Sequence, residues 1–302
     1  MKVVLSGATG VVGMALLAEH VARGDDVLVL VNPDSARGFR RFARSGARVH
    51  AAGLNDYANL RLRESFDVFY HLAWSGGHCR DNWRINLGST VASLDAVELA
   101  DRLGCGVFVG AGSQAECGPQ HGPISDTTEC APDTAFGAAK LMALQVTRQR
   151  ARELGLRFAW ARILSVYGPF DGEGTLVIST IRNILRNEPL AFTMGNQTWD
   201  FLYADDAARA IIEMSGPKAT GGIYTIGSGE ARPLREFIQM ITGHFGFSAD
   251  PFLGLRPSPP HGAPHLAADV SRLTREFDWS PRIGFLEGID RTVRYCLETE
   301  AD

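Results

Sequence analysis

The stretch Lys2-Val-Val-Leu-Ser-Gly-Ala-Thr-Gly-Val-Val-Gly13, KVVLSGATGVVG, decides how the chain is read. Val3 to Leu5 form a short apolar run with the length and β-branched content of a buried strand. The run ends at once in three glycines spaced G-x-x-G-x-x-G, and a helical pattern follows from about Val11 to Arg23. In that setting Gly7, Gly10 and Gly13 permit a tight turn and close backbone approach. Thr9, Val11 and Val12 complete the turn and the first helical residues, whose free amides face an anion. A strand, a glycine turn and a helix in this order predict a dinucleotide pyrophosphate site, whereas the same triplet elsewhere would carry little weight.

The rhythm continues outward from this unit. VLVLV (27–31), a helix near Ser35 to Ser45, ARVHA (47–51) and VFYHLA (68–73) come next. A helix is predicted from about Asn82 to Leu103, then the strand VFVGAG (107–112), a helix from near Ala135 that stops at Gly155, and the strand RFAWARIL (157–164). This alternation predicts an α/β fold, a Rossmann-type doubly wound parallel sheet with helices on both faces. After Tyr167-Gly-Pro169 the rhythm changes. Residues 1–165 therefore read as a dinucleotide-binding domain to which 198–227 return. Residues 166–302 read mainly as a smaller substrate-binding region over the carboxyl edge of the sheet, with a Pro-rich loop, RPSPPHGAPH, at 256–265.

Composition narrows the function classes. At 302 residues, 45% hydrophobic and 21% charged, the chain can bury a large core. A net charge of −4 and a pI near 6.1 give no global reason to bind nucleic acid or an anionic membrane, so an anionic ligand must be met locally. Cys79, Cys105, Cys117, Cys130 and Cys296 are odd in number and scattered, which predicts a reduced, cytoplasmic setting. No apolar run nears the roughly 20 residues of a membrane span, and no leader is read before the first strand. His244, His261 and His265 have no ligand spacing, so no metal is expected.

About twenty residues beyond the glycine turn, an NAD site places Asp or Glu at the end of the second strand to hold the ribose hydroxyls. Here the residue is Asn32, with Arg37, Arg40 and Arg41 just beyond. A 2′-phosphate would meet no repelling carboxylate and could be neutralised by Arg37, which predicts NADP(H) in preference to NAD(H).

With these features in place, the chain resembles the extended short-chain dehydrogenase/reductase family, in particular its nucleotide-sugar epimerases, dehydratases and reductases. The resemblance rests on the GxxGxxG turn, HLAW (71–74), Asn86, GSQAECG (112–118), FGAAK (136–140), RILSVYGP (162–169), WDFLYADDAARAI (199–211), YTIGSG (224–229) and FDWSP (277–281). It implies that Leu54, Leu72, Ala73 and Leu164 line the cofactor, that Lys140 holds the nicotinamide ribose, and that Ser113 hydrogen-bonds the reacting sugar oxygen. It also implies a nucleotide-diphosphate sugar bound by Ser75, Gln114, Ser165, Gln197, Trp199 and Arg256, and a homodimer through the helices at about 82–103 and 135–155. Trp199 stands where the family usually has an arginine, so it would stack a base or pack instead. Asp205 and Asp206 read as helix-capping carboxylates rather than catalytic ones. Trp279 reads as core. Cys117, in place of the usual tyrosine, reads as a small buried hydrophobe with no basic partner visible in sequence.

Two segments bear on the reaction. Family dehydratases carry an Asp-Glu pair directly after the catalytic Ser or Thr, because elimination needs both an acid and a base. Gln114-Ala115 occupy that place, and SQAE is closer to the 4-keto-6-deoxy-sugar reductases. The expected activity is therefore NAD(P)H-dependent reduction of a nucleotide-linked 4-keto-6-deoxy hexose. A nucleotide-sugar 4-epimerase is the alternative, and a non-catalytic NADP-binding regulator is the alternative of another class. In TAFGAAK (134–140), Phe136 and Lys140 share one helical face four residues apart, and Phe136 stands where the family pattern has a tyrosine whose phenol Lys140 would acidify. The ring is kept and the acid deleted. A tyrosine replaced to trap a substrate complex, a natural variant with a relocated acid and a protein that only binds all account for this. The first is favoured, because every neighbouring part of the apparatus survives.

Overall fold

The computed structural model describes residues 1–35, 42, 45–75, 79–257 and 265–300. β1 (Lys2–Ser6), β2 (Asp26–Val31), β3 (Arg48–Ala51), β4 (Val68–His71), β5 (Val107–Ser113), β6 (Arg157–Ile163) and β10 (Gly222–Ile226) form one sheet in the order β10-β6-β5-β4-β1-β2-β3. Every pairing in it is parallel. The chain runs outward from β1 through β2 to β3 and then returns to β4 on the other side of β1. The ends of β1 and β4 therefore frame the switch point at which such sheets bind ligands.

Burial on both faces explains why the strands inside the sheet read as apolar runs rather than alternating ones, while the edge strand β3, RVHA, is largely exposed. The strand period of two sorts them into two cores. Val3, Leu5, Val27 and Val29 pack with Leu16 and Leu17 of α1 (Val11–Ala22) and with Ala207 and Ile211 of α5 (Ala204–Glu213). Val4, Leu28 and Leu30 pack on the opposite side with Ala96, Val97 and Ala100 of α2 (Trp83–Arg102) and with Ala143 and Leu144 of α3 (Ala135–Glu153). Asn82 caps α2 through its side-chain oxygen, which accepts the amide of Ile85, and Thr134 caps α3 by accepting the amide of Gly137. The predicted helix over Ser35–Ser45 lies almost entirely outside the described residues.

The second half adds α4 (Leu176–Leu185), α6 (Leu234–His244), α7 (Ser271–Phe277) and α8 (Phe285–Glu300), with short strands β7 (Ser165–Tyr167), β8 (Thr198–Trp199), β9 (Phe201–Tyr203) and β11 (Arg232–Pro233). α4, α6 and α8 close a separate core around Tyr167, Tyr203 and Ile241. β10 completes the edge of the main sheet beside β6. Among the described residues no helix is long and apolar enough to cross a membrane.

The reading of Asp205 and Asp206 as caps is corrected. α5 starts without a side-chain cap. The fully buried Asp206 instead accepts the amides of Arg282 (3.0 Å) and Ile283 (2.9 Å) and pairs with Arg209, while Asp205 pairs with Arg291 at 3.2 Å. Asp206 thus ties the segment after the buried Trp279 to the main domain. Replacing Asp206 by Ala would leave two partly buried amides without their acceptor and Arg209 with only the Ser280 carbonyl. Such a change should cost about 3–5 kcal/mol, read as a lowered urea midpoint at unchanged slope; an unchanged midpoint would show that the clamp contributes nothing.

Candidate active site

The glycine turn builds the first half of the site. Gly7 has φ +80°, and a Cβ there would lie 2.5 Å from the backbone of Leu72 and Ala73. A Cβ on Gly13 would fall 2.2 Å from the carbonyl oxygen of Gly7. Side chains are excluded at both positions because α1 starts pressed against β1 and the end of β4. A Cβ on Gly10 would make only an ordinary contact, 3.8 Å from the carbonyl oxygen of Gly7. The turn opens a cleft of 380 Å³ lined by Gly7, Thr9, Gly10, Asn32, Leu54 and Ala73, among others, with the amide end of α1 at its floor. A dinucleotide pyrophosphate fits this cradle, since the backbone is bare and the helix end is positive.

The structure brings most of the predicted cofactor residues to one place. Leu72 lines the same cleft, and so does Ser75, which the sequence had assigned to substrate. Val11 and Val12 open α1 behind the turn. Asn32 is exposed at the end of β2, where its side-chain oxygen accepts the amide of Asp34 at 3.1 Å. Arg37, with Arg40 and Arg41, lies outside the described residues. Leu164 is buried beyond β6 among Cys117, Ile124 and Leu266, away from the cleft lining.

The second half forms at the carboxyl end of β5. Ser113 ends that strand, and its Oγ accepts the amide of Ala115 at 3.2 Å, capping a short 3-10 turn over Gln114–Cys117. Lys140 reaches the same strand end from α3: its Nζ donates to the carbonyl of Ala111 at 2.8 Å. The ammonium lies 3.8 Å from the centroid of the Trp74 ring and 5.9 Å from that of Phe136. Trp74 and Phe136 meet edge to face at 6.0 Å. The guanidinium of Arg80 lies 5.1 Å from the Phe136 centroid. Phe136 and Lys140 thus share one face of α3, as their spacing predicts.

Burial governs the charges here. It pushes the Lys140 ammonium down to about 7, partly opposed by the negative Glu116. Glu116 is itself buried, accepting from Arg162 Nε at 2.6 Å and from Trp160 Nε1 at 3.1 Å. Burial, then the Lys140 charge, also brings His71 down to about 3. His71 is therefore a neutral bridge between Ser6 (2.9 Å) and Ser93 (3.0 Å), tying β1, β4 and α2 together.

Several of these residues escaped the sequence reading. Trp74 was quoted within HLAW without a role, and Arg80 and Glu116 were not singled out. The orienting group for Trp74 is the buried Asn86, which accepts from the indole Nε1 at 3.0 Å and donates to the carbonyls of Cys79, Arg80 and Asn82. The remaining predicted substrate residues are dispersed. Ser165 starts β7, the backbone oxygen of Gln197 accepts the amide of Leu234, and Trp199 is half-buried against Phe201. Arg256 is exposed, its amide bonded to the carbonyl of Phe192. Among the described residues no cluster of His, Cys, Asp and Glu could hold a metal.

A bare glycine cradle at the switch point, next to a buried lysine and a strand-end hydroxyl, defines a dinucleotide-dependent enzyme of the doubly wound α/β class. Residues 3–227 match the model of the NAD dependent epimerase/dehydratase family, and the chain belongs to that family. It is 24% identical over 321 residues to the uncharacterized UDP-glucose epimerase YtcB of Bacillus subtilis, covering 98% of both chains. The UDP-glucose 4-epimerase of Thermotoga maritima, solved with UDP-glucose, superposes with a TM-score of 0.88 at 21% identity, covering 99% of this chain and 100% of that one. A mutant UDP-glucuronic acid 4-epimerase of Bacillus cereus, with phenylalanine in place of a tyrosine and solved with a fluorinated UDP-sugar and NAD, superposes with a TM-score of 0.87 at 22% identity, covering 99% of this chain and 100% of that one.

The low Lys140 value makes a prediction with a definite sign. Its folded value lies below the ordinary 10.5, so between pH about 7 and 10.5 the unfolded chain binds the extra proton. The resulting destabilisation is complete below pH about 7 and fades as pH rises through that window. Compared with Lys140→Met, the native protein should gain up to about 1.4 kcal/mol of stability per pH unit from pH 7 to 9. Parallel urea-unfolding curves for the two proteins across that range would refute this charge state.

Proposed function

We propose that this protein acts on a nucleotide-linked hexose at its C4 carbon, and that 4-epimerisation of a UDP-sugar is the reaction it fits best. The observation that carries this reading is Lys140, buried at the end of β5 between the Ala111 carbonyl and the Trp74 ring, with Ser113 two residues further along the same strand. The relatives named as UDP-sugar 4-epimerases support the epimerase alternative over the 4-keto reduction first suggested by residues 112–118. Gln114-Ala115 withhold the acid and base that dehydration would need.

A nicotinamide dinucleotide, when bound, supplies hydride exchange at the sugar carbon. The chain supplies position and protons. Lys140 Nζ would hold the nicotinamide ribose. Ser113 Oγ, which already accepts from Ala115, keeps its own proton to donate to the sugar oxygen. Phe136 offers no atom that can carry a proton, so this chain forms the substrate complex and turns over slowly. Reduction of a 4-keto sugar is the second reading. Asn32 favours it, because the absence of a carboxylate there suits NADP(H), the cofactor expected of a reductase that exchanges its dinucleotide. A homodimer through α2 and α3 is part of the proposal: Trp83, Leu87 and Val91 recur every four residues as an exposed apolar stripe on α2, with Met142 exposed on α3.

Restoring the phenol tests the site. Phe136→Tyr should raise interconversion of UDP-glucose and UDP-galactose at least about a hundredfold, with little change in ligand affinity, because the hydroxyl acts mainly in the transition state. A Phe136 protein that is already fast, or a tyrosine form no faster on a substrate both bind, would overturn the assignment. NAD(H) that survives gel filtration marks the epimerase, and stoichiometric NADPH oxidation with a 4-keto sugar marks the reductase.

Cofactor preference has its own test. Asn32→Asp should weaken NADPH binding at least tenfold relative to NADH, by placing a carboxylate against the 2′-phosphate; equal affinities before and after the change would remove Asn32 from cofactor selection.

A further inference from the structure

Cys117 and Cys130 stand 13 residues apart in the chain, and their sulfurs lie 3.5 Å apart. Cys117 closes the turn that follows Ser113, and Cys130 ends the loop that leads into α3. The backbones already run side by side there, with the amide of Ala131 donating to the carbonyl of Cys117 at 3.1 Å. Cys117 is fully buried, whereas Cys130 is half-buried and reachable from solvent. A fixed cation completes the arrangement. Arg162 is anchored through Nε to Glu116 and through one amino group to the Ser125 carbonyl (2.6 Å each), and its other amino group sits 3.3 Å from the Cys130 sulfur. A disulfide requires about 2.05 Å between sulfurs, so closing the pair takes a movement of roughly 1.5 Å.

We infer that Cys117 and Cys130 form a thiol–disulfide site, oxidised reversibly by small disulfides such as oxidised glutathione, and that the bond locks the loop of residues 118–129 against the end of β5. The Cys117 thiol donating to it, reinforced by the Arg162 guanidinium, draws Cys130 down to about 7 against the effect of burial. The hydrogen bond to Cys130, then burial, holds Cys117 well above the ordinary thiol range. Cys130 is therefore the sulfur that opens the exchange. Its thiolate attacks one sulfur of oxidised glutathione, forming a mixed disulfide and expelling one glutathione thiolate. Cys117 gives up its proton and attacks the Cys130 sulfur, which releases the second glutathione as its thiolate. Two protein thiols are oxidised by two electrons, and one small disulfide is reduced to two thiols.

The loop so closed carries a long-range contact. The Ile124 amide donates to the carbonyl of Ala267, and its carbonyl accepts the amide of Asp269, each at 2.8 Å. Asp126 pairs with Arg272 at 3.5 Å. Fixing the base of this loop stiffens the join between the main sheet and residues 265–270.

The full chain is incubated with oxidised glutathione, denatured, alkylated with iodoacetamide and digested with trypsin. One peptide, residues 103–140, holds Cys105, Cys117 and Cys130. The expected result is one alkyl group on that peptide, on Cys105, against three after dithiothreitol. The exposed Cys79 serves as the internal measure of oxidant activity. Cys130→Ser should leave Cys117 reduced, and Cys117→Ser should stop at a mixed disulfide on Cys130. Three alkyl groups while Cys79 is fully glutathionylated, or an S–S bond mapped to Cys105, would overturn the pair. Deuterium uptake in 118–130 and 265–270 should fall on oxidation, and unchanged uptake would overturn the lock.

Discussion

The first turn of α1 rests directly on the carbonyl of Gly7, and Gly7 in turn rests on the backbone of Leu72 and Ala73. The rest of the molecule follows from that contact. It sets the distance between β1 and β4, and hence the opening at the switch point. It also aims the free amides of α1 into the cleft rather than into the core. The neutral His71 bridge between Ser6 and Ser93 holds the same junction from the other side. Because the approaches at Gly7 and Gly13 are backbone against backbone, they leave no room for adjustment by side-chain rotation.

Charge in the neighbouring half of the site is managed by enclosure. Lys140 is nearly dry, with a carbonyl and an aromatic face as its nearest partners and Glu116 as the nearby counter-charge. Glu116 is occupied by Arg162 and Trp160, so its influence on Lys140 is electrostatic rather than a direct bond. A lysine held this way is poised between charged and neutral forms, and a ligand that brings negative charge would settle it as the ammonium. Phe136 completes the wall without contributing an acid: its ring packs against Trp74 and Arg80 but carries no atom that can hold a proton.

The sheet and its cofactor turn were legible in the sequence. Parallel strands buried on both faces must be continuously apolar, and a glycine triplet between strand and helix has few other uses. The shared face of Phe136 and Lys140 was legible for the same reason, since a helix fixes neighbours four residues apart. Contacts between elements were not legible. Nothing near Asp206 in the chain announces that its partners are the amides of Arg282 and Ile283, and a carboxylate in the first turn of a helix is ordinarily a cap.

By itself, then, the sequence determined what depends on local periodicity and backbone sterics: the alternating elements, the glycine turn and the helical spacing of Phe136 and Lys140. Only the tertiary structure decided what depends on groups far apart in the chain meeting in a dry interior. It set Trp74 beneath Lys140 by way of Asn86, and closed Glu116 onto Arg162. Cys130 came to lie against Cys117, for which the sequence shows no basic partner. Burial turns each of these meetings into a chemical property, because removing water changes how strongly a charge, a ring or a sulfur feels its neighbour. Which groups lose their water is settled by packing across the whole fold.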